Sequence, residues 1–508
     1  MQGRGDVQAV LTDAAALCGG LVKPGSVAAW LAEHRRWLFP DNAFADLFPS
    51  GRGRPSVPAD VVATVMVLQA LEGLSDREAA EALRLRIDWK VACGLALDDE
   101  GIHPTTLTYW RNRLRGSQRP RRVFDAVAEV IAATGVLGGR RRRAVDSTVV
   151  DDAVATQDTV TQLTAAIRRV RRLVPAAAQV TVSAHDYDRP GKPACAWEDP
   201  EARDALVSAL VADALATLEV AGETAMDEAG AEAMGLLALV AGQDVEPGEE
   251  EGSWRIARGT AADRVISTVD PDSRHVHKSR HQRRDGFKAH VAVEPETGLV
   301  TDCAVTAGNT SDGAAGVGLL DAEPEPVEVL ADSAYGSGPT LAALEQAEHT
   351  ATIKPWPSRP MTPAADAFTT DDFTVDLAAA TATCPAGHTV TLQRNRVAKF
   401  GRHCHDCPLR ARCTRARDGK TLKVNAHHDL LAAARAAAGD PDWQQRYTRW
   451  RPMVERSIAW ITANGHRRVR YRGLERNQLW LAHRAAAINL RQLIRQGLTR
   501  TGGAWAMA

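Results

Sequence analysis

A short β-branched segment with one carboxylate in its middle constrains the fold of this chain more than any other feature. Residues 144–150 read Ala-Val-Asp-Ser-Thr-Val-Val and follow four arginines at 140–143. Short segments of this composition between charged residues favour a buried strand over a helix. Asp146 lies among valines there, and such a carboxylate costs several kcal/mol unless it is paired or binds a metal. The pattern predicts a strand that delivers an acidic side chain, with a carboxylate bonded to backbone amides as the alternative.

A second aspartate, Asp332, follows another short apolar segment far along the chain. Turn residues and alternating apolar residues between and after the two aspartates predict further strands and helices. In order they are a hairpin, a helix, a strand, a helix and a strand, at residues 287–305, 313–320, 327–332, 339–348 and 350–353. Strands that alternate with helices after a hairpin form a mixed α/β sheet. If both aspartates lie on central strands, they lie side by side.

The overall composition is that of an ordinary globular protein. The chain has 508 residues, of which 44% are hydrophobic and 25% charged, so two to four domains are expected. It shows no basic-then-apolar signal pattern at residue 1, and no uninterrupted apolar run approaches the length of a membrane span. A cytoplasmic protein is expected.

A net charge of −1 hides a strong asymmetry. Residues 198–251 carry fifteen acidic side chains and one basic, which leaves the rest of the chain at +13. Arginines cluster at residues 111–122, 140–143 and 446–476. A polyanion partner explains such clusters by counterion release, although a solvated helix face is the alternative for any single one. The acidic residues belong to a predicted helical insertion at 158–262.

The first 135 residues have helical periodicity throughout. Ser75 with Glu78 three residues later predicts a capped helix start. The helix that follows His103 combines threonines and aromatic residues with Arg111, Asn112 and Arg113. It has the character of a recognition helix that reaches phosphates and base edges, and a packing helix with a basic outer face is the alternative.

Four of the eight cysteines lie close together in the sequence. Cys404 and Cys407 form a Cys-x2-Cys pair, with Cys384 before it and Cys413 after it. Thiolates at this spacing bind one tetrahedral zinc ion with little chain strain, and His403 or His405 can replace one of them. A redox pair is the alternative, but no thioredoxin-like pattern surrounds it. A structural zinc site is therefore predicted.

A third carboxylate, Glu455, lies beside an apolar helical stripe formed by Val454, Ile458 and Ile461. Arg451 precedes Glu455 by one helical turn. Nine arginines and one other acid lie between residues 446 and 476. A surface Arg-Glu pair is the alternative to a functional role.

Taken together, these motifs resemble those of bacterial insertion-sequence transposases of the DDE class, and the likeness covers nearly the whole chain. The motifs that carry it are GRPSVPADVV at 53–62, LSDREAA at 74–80, HPTTLTYWRNRL at 103–114, Asp146 in its strand, ADSAYG at 331–336, CPLRARC at 407–413, RPMVER at 451–456, RYRGL at 470–474 and Asn489-Leu490.

This resemblance implies a ribonuclease-H-like catalytic core, a mixed sheet flanked by helices, in which Asp146, Asp332 and Glu455 hold two Mg²⁺ (or Mn²⁺) ions. It also implies a Tyr-Arg-Glu-Lys signature on the last helix. Arg451 and Glu455 keep the spacing of that signature. Tyr447 lies one residue further from Arg451 than the signature has it, and Thr462 stands at the lysine position, so that Arg467 or Arg468 is expected to take over the DNA contact.

The chemistry expected of such a site is in-line displacement at phosphorus. It needs one cation to neutralise oxygens and another to activate the attacking hydroxyl, with carboxylates from different elements converging on both. Asp146 is expected to bridge the two ions, and magnesium prefers these oxygen ligands. Four other carboxylates are spare candidates, namely Asp151, Asp152, Asp285 and Asp312.

The expected organisation has four parts: a helical DNA-binding domain at 1–135, a first core segment at 140–356 with the insertion at 158–262, a cysteine-rich zinc-binding insertion at 357–440, and C-terminal core helices at 441–500. The expected function is binding of the element's inverted-repeat ends and cleavage and joining to target DNA, by a homodimer or higher oligomer. A nuclease that does not join strands, or a decayed DNA-binding repressor, is the alternative. The residues expected to contact DNA are Arg111, Asn112, Arg113, Arg451, Arg467 and Arg468.

Overall fold

The computed structural model describes residues 1–4, 11–277 and 283–508 of the chain. Helices make up its N-terminal region, as the periodicity predicts. They are α1 (Ala14–Cys18), α2 (Val27–Leu38), α3 (Ala59–Glu72), α4 (Asp76–Leu85), α5 (Ile87–Cys93), α6 (Pro104–Arg115) and α7 (Arg122–Thr134). The predicted capped start is confirmed at α4, where Ser75 and Glu78 form a reciprocal capping box. Helix α3 is buried over most of its length and forms the centre of this region.

A helical insertion follows the first strand. Its elements, from that strand onward, are β1 (Arg142–Asp151), α8 (Thr159–Leu173), α9 (Pro175–Ala178), α10 (Pro200–Gly222), α11 (Glu228–Gln243), β2 (Val245–Pro247) and β3 (Trp254–Ile256). The insertion has an apolar core of its own. Among the described helices, only α10 has the length and mean hydropathy of a membrane span, at 1.6. One face of α10 packs in the insertion core, where Val207 and Leu210 are buried and the buried Asp213 accepts a hydrogen bond from Tyr187.

The central sheet is mixed, as predicted. The remaining elements of this region are β4 (Arg274–His277), β5 (Arg283–Glu294), β6 (Leu299–Ala307), α12 (Asp312–Gly318), β7 (Glu328–Ala331), α13 (Gly338–Gln346) and β8 (Thr350–Ile353). Strand β5 pairs antiparallel with β4 and β6 on one side and with β1 on the other. Strand β1 then pairs in parallel with β7, and β7 with β8. This order makes β1 and β7 the central neighbours.

Small strands and then long helices complete the chain. They are β9 (Thr374–Asp376), β10 (Thr381–Thr383), β11 (Thr389–Thr391), β12 (Val397–Lys399), α14 (Arg410–Cys413), β13 (Thr421–Lys423), α15 (His428–Ala438), α16 (Pro441–Trp450), α17 (Pro452–Thr462), α18 (Leu474–Arg495), β14 (Leu498–Thr501) and β15 (Ala504–Met507). Helix α18 packs against β6 on one side and against α3 and α7 on the other. One apolar core therefore joins the N-terminal helices to the sheet.

The arginines at 140–143, around the start of β1, are paired with glutamates. Arg140 and Arg142 both contact Glu296, and Arg141 contacts Glu325. Arg143 is only 7% exposed in its side chain and pairs with Glu323. For this cluster, the pairing with glutamates at the same end of the sheet favours the alternative to a polyanion surface.

Candidate active site

Asp146 and Asp332 lie at the same level of the sheet. The parallel pairing of β1 with β7 ends at Ala144 opposite Leu330, and each aspartate stands two residues further along its own segment. Asp332 follows the last residue of β7 and caps a short 3-10 turn, where its Oδ1 accepts a hydrogen bond from the Ala334 amide at 2.9 Å. The prediction that the sheet brings the two aspartates side by side is confirmed.

A buried arginine holds the Asp146 carboxylate. The Asp146 Oδ2 lies 2.9 Å from Arg451 Nη2, and its Oδ1 accepts the Ser147 amide at 2.8 Å. Burial raises the pKa of Asp146 above its ordinary value, although the positive charge of Arg451 lowers it. The negative charge of Asp332 also raises it.

Arg451 stands at the joint between two helices. Helix α16 ends at Trp450, and Pro452 begins α17, because proline fits the first turn of a helix but not its interior. The Arg451 side chain is 8% exposed, and its Nε and Nη1 are buried without a hydrogen-bond partner among the described residues. Its Nη1 is 3.9 Å from Glu455 Oε1, whereas the Glu455 side chain is 71% exposed. Arg451 therefore links the buried aspartate to the exposed glutamate.

The charges of all three carboxylates act on Tyr447. Burial is the main cause of the raised pKa of Tyr447, and Asp332, Asp146 and Glu455 all raise it further, while Arg451 lowers it. Its ring stacks on Trp443 with centroids 5.0 Å apart, which fixes its position. Although Tyr447 departs by one residue from the expected spacing, it reaches the site.

The three carboxylates do not form a preassembled metal centre. Over the described part of the chain, no group of three His, Cys, Asp or Glu side chains is arranged to hold an ion. The oxygen donors themselves suit magnesium, since Asp146 and Asp332 are two like charges whose repulsion a cation relieves. Glu455 is the exposed member of the three.

Arg467 lies close to Thr462, the residue that stands at the lysine position of the expected signature. The Asp151 amide donates to the Arg467 carbonyl at 2.8 Å, and the loop after α17 is thereby fixed to the end of β1. The Arg467 guanidinium is 3.1 Å from Thr148 Oγ1 and 3.4 Å from Thr462 Oγ1. Both Arg467 and Arg468 are exposed. A cation thus stands beside Thr462, the residue at the expected lysine position.

The spare carboxylates all have partners, namely Arg284 for Asp151, Ser273 for Asp152, His275 for Asp285, and Ser147 and Lys288 for Asp312.

Sequence reasoning did not find the Asp312 cluster. Ser147 donates to Asp312 at 2.8 Å, and Lys288 lies 3.1 Å from it. Because Ser147 directly follows Asp146, this cluster supports the β1 backbone at the site. The one feature of the sequence that pointed to this cluster was the position of Ser147 directly after Asp146.

Helix α6 presents a polar stripe to solvent. Leu107, Trp110 and Leu114 are buried, and the opposite face exposes Thr105, Thr108, Tyr109 and Asn112. These exposed residues recur at the spacing of one helix face. A face of this kind is able to lie against a partner without unfolding the helix.

The two arginines of α6 that were expected to contact DNA are engaged inside the fold. Arg111 pairs with Asp76, and Arg113 donates to the Leu47 carbonyl and lies over the rings of Phe48 and Tyr109. Of the three polar residues singled out in the sequence, Asn112 alone is therefore exposed and free to reach a base edge without breaking such a contact.

The four clustered cysteines surround one small cavity of about 20 Å³. Cys384, Cys404, Cys407 and Cys413 are free thiols that line it together with His403. Burial raises the pKa of Cys413, and the other three sulfurs raise it further. The Lys420 amide donates to Cys404 Sγ at 3.3 Å. The sulfurs are close enough to interact, although they are not drawn together into a finished metal centre.

Two known protein families match this chain. Residues 383–494 match the family described as transposase DDE domain, and residues 21–113 match the transposase domain of unknown function DUF772. The first match contains Glu455 and the second contains most of α6. No curated protein and no solved structure matches the chain. A transposase DDE domain implies a ribonuclease-H-like core, in keeping with the mixed sheet described above.

Proposed function

We propose that this chain, two segments of which match transposase families, is a DDE transposase that binds the ends of its own element and cleaves and joins DNA at Asp146, Asp332 and Glu455. One observation carries this assignment. The two aspartates stand at one level of adjacent parallel strands, and Arg451, which directly precedes the helix of Glu455, contacts Asp146. This arrangement supports a site built from carboxylates of three separate elements.

Asp146, Asp332 and Glu455 would hold two Mg²⁺ ions. When bound, these ions neutralise charge on the reacting phosphate and lower the pKa of the attacking water or 3′-hydroxyl. The donors suit this role, because all three are carboxylates, the oxygen ligands that magnesium prefers.

The remaining residues position the carboxylates and the DNA. Arg451 orients Asp146 through its 2.9 Å contact, and its Nη1 and Nε are unused donors that suit phosphate oxygens. Arg467, and Arg468 beside it, are exposed guanidinium groups next to the site that suit any phosphate backbone. Base recognition is separate and lies on α6.

Joining of DNA ends distinguishes a transposase reaction from a simple nuclease. Short duplexes that carry the inverted repeats flanking the gene should be cut in Mg²⁺ and then joined to a target plasmid. Cut ends without joined products would indicate a nuclease, and binding without cutting would indicate a repressor. Since two ends have to be held during joining, we expect a homodimer or larger assembly that acts on the nucleoid in the cytoplasm.

Sequence reading is expected at Asn112. Asparagine makes paired hydrogen bonds to adenine, so Asn112→Ala should weaken binding to the element ends by about 1–3 kcal/mol, because these bonds can no longer form. Binding to a scrambled duplex should change much less. Fluorescence anisotropy with both duplexes measures this, and Asn395→Ala, an exposed asparagine of the cysteine-rich segment, is the matched control. An equal decrease in affinity for both duplexes would show that this residue does not read sequence.

We also propose that the four cysteines hold one structural zinc ion. Four free thiols around a cavity of about 20 Å³ support this, as does the Lys420 amide that donates to Cys404 Sγ. Hydrogen bonds of this kind orient metal ligands. A small inward shift of the sulfurs would close a tetrahedral set.

The zinc proposal predicts about one zinc per purified chain. The Cys404→Ser, Cys407→Ser variant should lose it and unfold locally in the cysteine-rich segment, because such sites contribute folding energy. Elemental analysis of the gel-filtered protein measures the metal. Cys195→Ser, outside the cluster, is the control. Unchanged zinc in a folded double variant would reject the site.

A further inference from the structure

A basic cavity lies at the seam between α6 of the N-terminal region and α18 of the C-terminal segment. Its volume is about 250 Å³. Arg111 and Arg115 of α6 and Arg476 of α18 line it, and Asp76 is the one carboxylate among its lining residues. The lining therefore carries an excess of positive charge, and it is contributed by parts of the chain that are more than 350 residues apart.

Arg111 is already oriented for a ligand. Its Nη2 pairs with Asp76, and its guanidinium lies over the ring of Tyr471 at 5.1 Å from the centroid. The side chain is 11% exposed, and its Nη1 is buried without a hydrogen-bond partner among the described residues. One edge of this guanidinium is fixed by the protein, and the other edge retains an unused donor. A buried donor of this kind costs free energy until an acceptor reaches it.

Arg115 and Arg476 are not held by a strong ion pair among the described residues. Arg115 contacts Glu475 at 3.7 Å, but the Glu475 side chain is 80% exposed, so water and salt screen this pair. Arg476 is exposed at the first turns of α18. Both guanidinium groups can turn to an anion in the cavity without leaving a buried charge behind.

We propose that this cavity binds a phosphate group of the DNA backbone, so that one strand is held by the N-terminal helices and the C-terminal segment together. Guanidinium groups bind phosphate oxygens in pairs, which suits three arginines around one site. Asn112 lines the same cavity and belongs to the exposed stripe of α6, so a duplex that lies on this stripe passes the cavity. The volume is below the about 300–1,000 Å³ of typical small-molecule sites.

This proposal deepens the proposed function and rests on it for the identity of the ligand. It changes the role expected of Arg111, from reading bases to holding a backbone phosphate. Phosphate contacts fix the register of a protein on DNA but carry no sequence information. Each of Arg111, Arg115 and Arg476 should therefore contribute as much to the binding of a scrambled duplex as to the binding of the element ends. Asn112, in contrast, should contribute to the binding of the element ends.

The test is the Arg115→Gln, Arg476→Gln double variant, with Arg115→Gln alone as a second variant. Binding to end duplex and to scrambled duplex is measured over a series of KCl concentrations. Both affinities should fall by the same factor, and the slope of log K against log salt should decrease by about 1 for each phosphate that the variant no longer neutralises. Arg495→Gln is the matched control, because this exposed arginine lies on the same helix about 28 Å away. A slope that matches this control would overturn the proposal.

Ethylation of single phosphates identifies the contact directly. In the wild type, ethylation at one backbone position should block binding, and that block should disappear in the double variant. Inorganic phosphate is the second probe. If it raises the melting temperature of the wild type but not of the double variant, while no ethylated position differs between them, the cavity takes a free anion and the proposal is wrong. Because these readouts measure binding alone, a failure of cleavage or joining would contradict the proposed function and leave this site standing.

Discussion

Asp332→Asn should reduce Mg²⁺-dependent cleavage of end DNA by about a thousandfold or more, with little change in DNA binding. The substitution preserves shape but removes one of the two charges that face each other across the parallel strands. A metal ion contributes several kcal/mol of transition-state charge stabilisation, and every 1.36 kcal/mol is about tenfold in rate. Asp146→Asn and Glu455→Gln should act in the same direction. Single-turnover cleavage of labelled end duplex measures the rate.

Asp321→Asn is the control for charge alone, since Asp321 is an exposed carboxylate in the turn after α12. It should cleave at the wild-type rate. If Asp332→Asn retained near-normal cleavage, the second carboxylate of the site would have to be another residue. Asp312 would then be the first to examine, because it is the spare carboxylate bonded to the serine that follows Asp146.

Arg484→Met should lower the free energy of unfolding by about 3–5 kcal/mol, because each buried carbonyl left without a donor costs about 1–3 kcal/mol. Arg484 is 1% exposed and donates to carbonyls at the ends of two helices. Its acceptors are Ala70 and Leu71 of α3, Trp460 and Ile461 of α17, and Ala463 just after α17. Burial lowers the pKa of Arg484 to about 10, so it remains charged near neutral pH.

The midpoint of urea unfolding, followed by tryptophan fluorescence, measures this destabilisation. Arg495→Met, at the exposed end of the same helix, should leave the midpoint almost unchanged. An unchanged midpoint for Arg484→Met would mean that water replaces the guanidinium at these carbonyls. Since Arg484 ties α3 to the helix of Glu455, the variant should also lose cleavage at temperatures where the wild type is stable.

Features of the fold that depend on neighbouring residues were predictable from the sequence. The strand Thr350–Ile353 was expected with the bounds that it has, and the capping box at Ser75 was expected from two residues three positions apart. The alternation of strands and helices predicted that Asp146 and Asp332 lie at the same level of the sheet, because the carboxyl ends of neighbouring parallel strands lie at the same edge. Local pattern and topology were sufficient for these features.

Features that depend on distant partners were not predictable. The four arginines at 140–143 look like a surface for polyanions, but glutamates that are distant in the sequence pair with them. Arg111 has the composition of a base contact, but Asp76 and Tyr471 hold it. Arg467 stands beside Thr462 because a backbone bond joins its loop to Asp151. In each case charge and spacing were visible in the sequence, whereas the partner was not.

Binding of Mn²⁺ tests most directly whether these carboxylates form the catalytic centre. Titration of Mn²⁺ into the complex of the wild type with uncleaved end DNA, followed by electron paramagnetic resonance, should show about two bound ions per active site. The Asp146→Asn complex should bind fewer ions, and more weakly, because Asp146 is one of the three carboxylates of the proposed site. The same number of ions with the same affinity in both complexes would contradict the assignment of this site.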